Sequence, residues 1–225
     1  MTIDRRTALV AGIGAGALVA LPASAGAQTA AFAPQPLPFD PAAVPGLSAK
    51  LLTSHHDNNY VGAVKRLGAI RGEFGKLDMA TAPGFAINGL KREELIAWNS
   101  MVLHEIYFSG LGTPNRPGTP LASAIERDFG SMARWQAEYV AMGNALGGGS
   151  GWVILTWSSH DRRLVNTWAA DHTMTLAGAT PILVLDMYEH AYAMDFGAKA
   201  AAYVDAVMAA TNWTAADARF AKASA

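Results

Sequence analysis

The sequence has no cysteine among its 225 residues, so disulfide bonds, thiolate metal sites, iron–sulfur clusters and cysteine nucleophiles are excluded. Charge is also sparse: charged residues make up 16% of the chain, the formal net charge is −1, and no basic run occurs. Because nucleic acid is bound through positive patches, we expect no nucleic-acid partner. The apolar residues, 51% of the chain, are enough for a sizeable core in one or two small domains.

Motifs of several enzyme classes are missing as well. There is no G-x-S-x-G elbow of a serine hydrolase, and GGGSG (147–151) lacks the Lys-Ser/Thr of a phosphate-binding loop. HEIYF, which begins at His104, lacks the second histidine of the H-E-x-x-H metalloprotease motif. The E-x-x-H motif of di-iron carboxylate bundles is absent too. These absences argue against four common catalytic chemistries.

Residues 1–27 are predicted to be a signal peptide. Arg5 and Arg6 precede the apolar stretch ALVAGIGAGALVALPA (8–23), and small residues end in AGA at Ala27, a pattern typical of twin-arginine signals. A membrane anchor is the alternative, but the stretch is short and rich in Gly and Ala. We expect export by the twin-arginine route to the periplasm or the medium, with no membrane attachment after signal removal. Because this route carries folded proteins, often with a cofactor, it is a first indication of a metal.

The rest of the chain predicts an α+β protein of two domains. Five prolines make residues 28–45 an extended arm. Residues 46–112 predict a hairpin of long helices, with Ser48 capping the first and the second running from about Lys91 to Gly110. The proline-rich GTPNRPGTP (112–120) marks the boundary. In the second domain, 118–213, we expect helices at about 121–129, 131–146 and 196–210, and a small three-stranded antiparallel sheet made of GWVILTW, RLVNTWA and PILVLDMY; residues 214–225 are predicted to be a tail.

Four residues are candidate metal ligands. His55 and His104 lie in the apolar stripes of their predicted helices, Asp186 ends an apolar strand, and His190 follows it by four residues. An unpaired buried carboxylate is costly, and one metal ion would resolve the burial of all four groups. Three imidazoles and a carboxylate suit iron, manganese or zinc, but not calcium or magnesium. For any single histidine, a core residue without metal is the alternative; His160, in a predicted turn, should be exposed.

Several stretches resemble the iron/manganese superoxide dismutase family. DMYEHAY (186–192) resembles its D-x-W-E-H-A-Y signature, and HEIYFSGL (104–111) resembles its H-x-x-[FY]-[FYW]-x-x-L. GSGW (149–152) matches its G-S-G-W, and PLPFDPAAVPGLS (36–48) is similar to its N-terminal segment. PGLSAKLLTSHHDNNY (45–60) resembles the stretch with its first histidine ligand. The resemblance covers about residues 36–213.

The resemblance implies a specific metal site and activity. His55, His104, Asp186 and His190 would bind one iron or manganese ion per subunit, with solvent as a fifth ligand. The implied reaction is a redox cycle that converts superoxide to dioxygen and hydrogen peroxide. The positive charge of such a site would attract the anionic substrate.

The resemblance also implies roles around the ion. His172 falls on a position that holds the bound solvent, and Trp152 would pack over the metal. Tyr188 stands where the family usually has Trp. Glu189 would reach a metal-binding histidine of the partner across a homodimer interface, which Tyr192 also joins; a tetramer is the open alternative.

The predicted substrate channel departs from the family. A second His and then a Tyr usually follow the first ligand on its helix, and gap-free counting puts Asn59 and Ala63 there. Moving the register to use Tyr60 would place Leu52 at the ligand position, and leucine cannot bind metal. Tyr60 could substitute only if the helix were locally distorted. The alternative function is therefore a metal-binding family member with weak or no dismutase activity.

Overall fold

A computed structural model describes residues 33–225, so the predicted signal peptide lies outside the described residues. Residues 33–225 belong to one compact unit, and their division into domains 46–112 and 118–213 stays a prediction. The described elements comprise eight α-helices and three strands: α1 Ala49–Ser54, α2 Val61–Phe74, α3 Gly84–Ser109, α4 Thr119–Phe129, α5 Met132–Ala145, β1 Trp152–Ser158, β2 Arg163–Ala169, β3 Ala179–Asp186, α6 Ala193–Phe196, α7 Ala200–Ala209 and α8 Thr214–Ser224.

The first helix starts as predicted, with Ser48 as its N-cap. The Ser48 side-chain oxygen accepts a hydrogen bond from the Leu51 backbone N–H at 3.0 Å. The same hydroxyl donates to Asp195 Oδ1 at 2.7 Å, and the Ser48 backbone N–H donates to Asp195 Oδ2 at 2.7 Å. One carboxylate thus joins the start of α1 to α6.

A π-helical segment, His55–Tyr60, separates α1 from α2. Asn58 Nδ2 donates to the Ser54 carbonyl at 2.8 Å, and that carbonyl is the one a regular α-helix would pair with the Asn58 backbone N–H. Beyond it, the Val61 N–H donates to the His56 carbonyl, five residues back. The hydrogen bond here therefore spans one more residue than in the regular α-helix that the gap-free count assumed.

The long helix α3 lies against α2 and begins earlier than predicted. Its start at Gly84 follows Pro83, which is the N-cap residue and is compatible with a helix N-terminus. The predicted apolar stripe is confirmed: Ala97, Met101 and Phe108 are buried along with His104. This face carries one candidate ligand into the core.

The three strands form the predicted antiparallel sheet, in the order β2-β1-β3. The central strand β1 is buried along its whole length. Its first residue, Trp152, pairs with Ala169 on one side and with Asp186 on the other. The register therefore sets the tryptophan beside the candidate carboxylate.

The C-terminal region differs from its prediction in two places. The helix expected over 196–210 is divided at Gly197, whose φ of +57° is left-handed. Residues 214–225, predicted to be a tail, instead form helix α8 and its last residue. Its apolar side chains Ala216 and Phe220 are four positions apart, so they share one helix face and are buried together.

Polar contacts fix α8 to the elements beside it. Arg219 Nε donates to the Ile182 carbonyl at 2.9 Å, and Arg219 Nη1 donates to Ser109 Oγ at 2.9 Å. The Asp217 carboxylate accepts from the Gly118 N–H at 2.9 and 3.0 Å.

Within residues 33–225, none of the helices has the length and apolarity needed to span a bilayer.

Candidate metal centre

Four elements bring the predicted ligands together. His55 opens the π-helical segment, His104 lies in α3, Asp186 ends β3, and His190 lies in the 3-10 turn Glu189–Ala191. One donor atom from each lies within 4.8 Å of all the others. Asp186 is fully buried, and His55 and His104 are each 1% exposed. The His190 side chain, 26% exposed, is the most open of the four.

The spacing of the donor atoms fits a single ion. Asp186 Oδ2 lies 3.1 Å from His55 Nε2, 3.3 Å from His190 Nε2 and 3.5 Å from His104 Nε2. Ligand atoms held about 2.0–2.2 Å from one ion, at roughly right angles, are about 3 Å apart. Among the described residues, His104 Nε2 and His190 Nε2 are buried and have no hydrogen-bond partner. A bound cation would satisfy both nitrogens, which are otherwise costly to bury.

Hydrogen bonds orient two of the donors. The His104 Nδ1–H donates to the Ser100 carbonyl at 2.6 Å, which fixes its proton on Nδ1 and leaves the Nε2 lone pair for the cluster. Asp186 Oδ1 accepts from the Tyr188 backbone N–H at 2.9 Å, so Oδ2 is the oxygen that faces the histidines. The Asp186 carbonyl also accepts from the Tyr203 hydroxyl at 2.8 Å, which fixes the end of β3.

Burial sets the protonation state of the cluster. It lowers the pKa of His55 and lowers the pKa of His104 to about 3, so both imidazoles are neutral at neutral pH. Burial alone would raise the pKa of Asp186, but the His190 and His55 imidazoles outweigh it and hold that pKa well below its usual range. Neutral imidazole and ionised carboxylate are the forms that bind a metal ion.

A layer of aromatic rings covers one side of the cluster. Trp152 is fully buried, and its ring centroid lies 5.1 Å from that of His104. Its indole Nε1–H donates to His172 Nδ1 at 3.0 Å, so a neutral His172 carries its proton on Nε2. The Tyr188 ring is stacked between His172 at 4.8 Å and His190 at 5.3 Å. His172 thus lies beside the ligands and outside their set; its contact with bound solvent stays a prediction.

The two residues predicted at a dimer interface differ in exposure. Glu189 is exposed, and a second subunit could reach it. Tyr192 is 2% exposed; its hydroxyl accepts from the Gly148 N–H at 3.4 Å, and its ring lies 5.4 Å from that of Tyr203. Tyr192 therefore offers almost no surface to a partner, because it packs inside its own subunit. The interface roles of both residues stay predictions.

The expected geometry of the first helix is wrong, because the count to Asn59 and Ala63 assumed a regular α-helix. Asn59 is partly buried and Ala63 is 7% exposed, and their place in a substrate channel stays a prediction. Tyr60, which the gap-free count did not place in the channel, is 2% exposed. Its hydroxyl donates to Glu105 Oε1 at 2.9 Å and accepts from the Gln35 N–H at 2.9 Å.

The sequence held a signal for this distortion. Polar residues fill HHDNNY (55–60) within an otherwise apolar helical pattern, and Asn and Asp side chains compete for helix backbone groups. His56, which follows the first ligand, turns away from the cluster, and its Nε2 lies 2.8 Å from the Gln35 carbonyl. His160 is exposed, as expected of a residue in a turn.

Comparison with known proteins agrees with this site. The model of the C-terminal domain of iron/manganese superoxide dismutases matches residues 117–219. "Superoxide dismutase [Fe]" of Cupriavidus metallidurans is 64% identical over 189 residues, which cover 84% of this chain and 96% of that protein. "Superoxide dismutase [Mn] 1" of Halobacterium salinarum is 31% identical over 193 residues, 84% of this chain and 94% of that one.

A third relative is named for both metals. "Superoxide dismutase [Mn/Fe]" of Propionibacterium freudenreichii is 30% identical over 197 residues, covering 83% of this chain and 95% of that protein. The match therefore spans nearly the full length of all three relatives. On these grounds the chain belongs to the iron/manganese superoxide dismutase family.

Proposed function

We propose that this protein is a superoxide dismutase that converts superoxide to dioxygen and hydrogen peroxide with one iron or manganese ion. The observation that carries the proposal is the buried cluster of His55, His104, Asp186 and His190, in which His104 Nε2 and His190 Nε2 are buried without a hydrogen-bond partner among the described residues. When bound, the ion supplies the one-electron redox chemistry. Three imidazoles and a carboxylate suit either metal, and the relatives are named for iron, for manganese or for both.

The chain's own residues hold the site dry and direct the approach of substrate. Phe108 and Trp152 cover the cluster, with ring centroids 5.0 Å from His55 and 5.1 Å from His104. Of the four ligands, His190 has the most exposed side chain, so a small anion reaches the cluster from its side. Tyr188 and His172 border that side, and a neutral His172 holds its proton on Nε2, where it could be donated to an incoming anion.

The alternative of a metal-binding member with little activity has no support. It rested on the loss of the usual channel side chains, counted along a regular helix, and the helix is π-helical at that point. The three relatives described above are all named superoxide dismutases. The ligand set is also complete. The loss of the usual channel side chains, counted along a regular helix, therefore no longer argues for an inactive member.

The decisive experiment compares two aspartates, each close to a histidine. The wild type should consume superoxide in proportion to its bound iron or manganese, and Asp186→Ala should lose both metal and activity. Asp161→Ala is the matched control, because Asp161 contacts His160 at 2.8 Å on the surface, in the turn between β1 and β2, and is not one of the four clustered residues. It should retain metal and activity. A wild type fully loaded with iron, and separately with manganese, that fails to accelerate superoxide decay would refute the proposed function.

We further propose export by the twin-arginine route and assembly as a homodimer. The support for export is the Arg5-Arg6 pair before a short apolar stretch, and the support for the dimer is the family signature together with the exposure of Glu189. Changing Arg5 and Arg6 to Lys should leave uncleaved precursor in the cytoplasm, and normal processing of that variant would count against the route. Sedimentation of the mature protein should give a dimer mass; a monomer at micromolar concentration would rule the dimer out.

A further inference from the structure

The Tyr60 hydroxyl joins three separate segments of the chain. It accepts a hydrogen bond from the Gln35 N–H in the N-terminal arm, at 2.9 Å. It donates to Glu105 Oε1 in α3, at 2.9 Å. Tyr60 itself closes the π-helical segment, and its side chain is buried. Burial raises the pKa of Tyr60 to about 12, so the hydroxyl remains a donor over the physiological range.

Both residues of this contact belong to segments that carry a ligand. The π-helical segment that ends at Tyr60 begins at His55, and Glu105 directly follows His104 in α3. The Phe108 ring fills the space between, with centroids 5.0 Å from His55 and 6.4 Å from Tyr60. The phenol therefore crosses between the two ligand-bearing helices near the level of their ligands.

The π-helical segment needs tertiary contacts of this kind. Such segments are rare and occur mostly as single turns, frequently at functional sites. Gln35 of the N-terminal arm contacts the π-helical segment twice. Its carbonyl lies 2.8 Å from His56 Nε2, and its N–H donates to the Tyr60 hydroxyl. Among the hydrogen bonds of residues 33–225, the one from the Tyr60 hydroxyl to Glu105 continues this contact from the arm to α3. Without it, the Gln35 N–H and the partly buried Glu105 carboxylate would both lose a partner.

We propose that Tyr60 is a positioning residue, whose hydroxyl holds the π-helical segment against α3 and so fixes the separation of His55 and His104. The inference rests on the proposed function for its consequence in catalysis, but metal binding alone can test it. A change in that separation alters the geometry offered to the ion, and with it the ion's affinity and absorption spectrum. Residues that orient metal ligands typically change metal affinity or activity by about 10–100-fold when they are removed.

The test is Tyr60→Phe in the full mature chain, which deletes one oxygen atom and keeps the ring. The metal-free protein is titrated with Mn(II), and the optical spectrum of the Fe(III) form is recorded. We expect Mn(II) affinity to fall by about tenfold or more and the Fe(III) absorption band to shift. The matched control is Tyr139→Phe, because the Tyr139 hydroxyl is also buried but donates to the Val153 carbonyl of β1 at 3.0 Å, and so does not link the π-helical segment to α3. That variant should lower the melting temperature and change neither affinity nor spectrum.

A second pair of variants keeps the inference testable if Tyr60→Phe fails to fold. Glu105→Gln keeps a carbonyl oxygen that can accept from Tyr60, and should retain wild-type metal affinity. Glu105→Leu removes the acceptor, and should reproduce the loss expected of Tyr60→Phe. If Tyr60→Phe or Glu105→Leu behaves like Tyr139→Phe, with lower stability but unaltered metal affinity and spectrum, the positioning role is wrong. Failure of the proposed function would appear separately, as a loaded wild type without dismutase activity.

Discussion

The hydrogen bonds of Ser48 give a prediction whose size can be worked out. The Ser48 oxygen accepts from the Leu51 N–H as the N-cap of α1, and its hydroxyl also donates to Asp195 Oδ1 at 2.7 Å. Ser131 caps α5 in the same way, by accepting from the Arg134 N–H at 3.1 Å, but within residues 33–225 its hydroxyl has no hydrogen bond to a carboxylate. The two serines thus differ by one contact with a charged group.

Replacing Ser48 with Ala removes two interactions. Loss of a serine N-cap costs about 1 kcal/mol. Loss of the bond to Asp195 adds about 1 kcal/mol, the ordinary net value for a hydrogen bond that remains accessible to water. Ser48→Ala should therefore cost about 2 kcal/mol, and Ser131→Ala about 1 kcal/mol. In a chain of this size, each kcal/mol lowers the melting temperature by about 2–4 °C.

Differential scanning calorimetry of the metal-free proteins measures this difference. We expect melting temperatures to fall by about 4–8 °C for Ser48→Ala and by about 2–4 °C for Ser131→Ala. In the Asp195→Ala background, Ser48→Ala should cost only its capping contribution, because the charged partner is already gone. Equal losses for the two serines, or strict additivity with Asp195→Ala, would refute the reasoning that Asp195 contributes through Ser48.

Three further predictions concern the site and the core. His172→Ala should retain its metal but show a shifted reduction potential by redox titration; loss of metal by this variant would instead make His172 a ligand. The metal-free protein should lose stability as pH falls below about 6.5. Burial lowers the pKa of His104 to about 3, so below about pH 6.5 the unfolded chain binds more protons than the folded chain does. Equal urea midpoints at about pH 7 and about pH 5 would contradict this. Gly143→Ala should cost about 1–3 kcal/mol in urea unfolding, since a Cβ there would lie 2.8 Å from Leu185, whereas Gly68→Ala, with open space in α2, should be neutral or stabilising.

The ligand cluster could be predicted from the sequence because it places polar and charged residues at positions that the surrounding apolar pattern predicts to be buried. His55 and His104 interrupt apolar stripes, and Asp186 ends an apolar strand, so each position is costly without a partner. Periodicity also located the three strands, whose β-branched and apolar runs are bounded by turn residues. In these cases a local pattern reflects a tertiary requirement, and the prediction needed no knowledge of long-range contacts.

The π-helical segment and α8 could not be predicted because tertiary contacts decide them. A residue count assumes a regular helix. In the structure the Asn58 side chain donates a hydrogen bond to a backbone carbonyl of the helix, and the N-terminal arm donates one to the Tyr60 hydroxyl. Residues 214–225 lack a strong apolar pattern. In the structure Arg219 donates to β3 and to Ser109 of α3, and Phe220 is buried. In both places tertiary packing overrides the intrinsic secondary-structure propensity of the residues.

The order of the ligands along the chain has a consequence for biosynthesis. His55 and His104 emerge from the ribosome early, whereas Asp186 and His190 follow only after the strands β1 and β2 and most of β3 have been made. A nascent chain that ends before residue 186 contains two of the four donors, so it cannot form the cluster. Stable acquisition of the metal is therefore a late event, because it requires that Asp186 and His190 have already been synthesised.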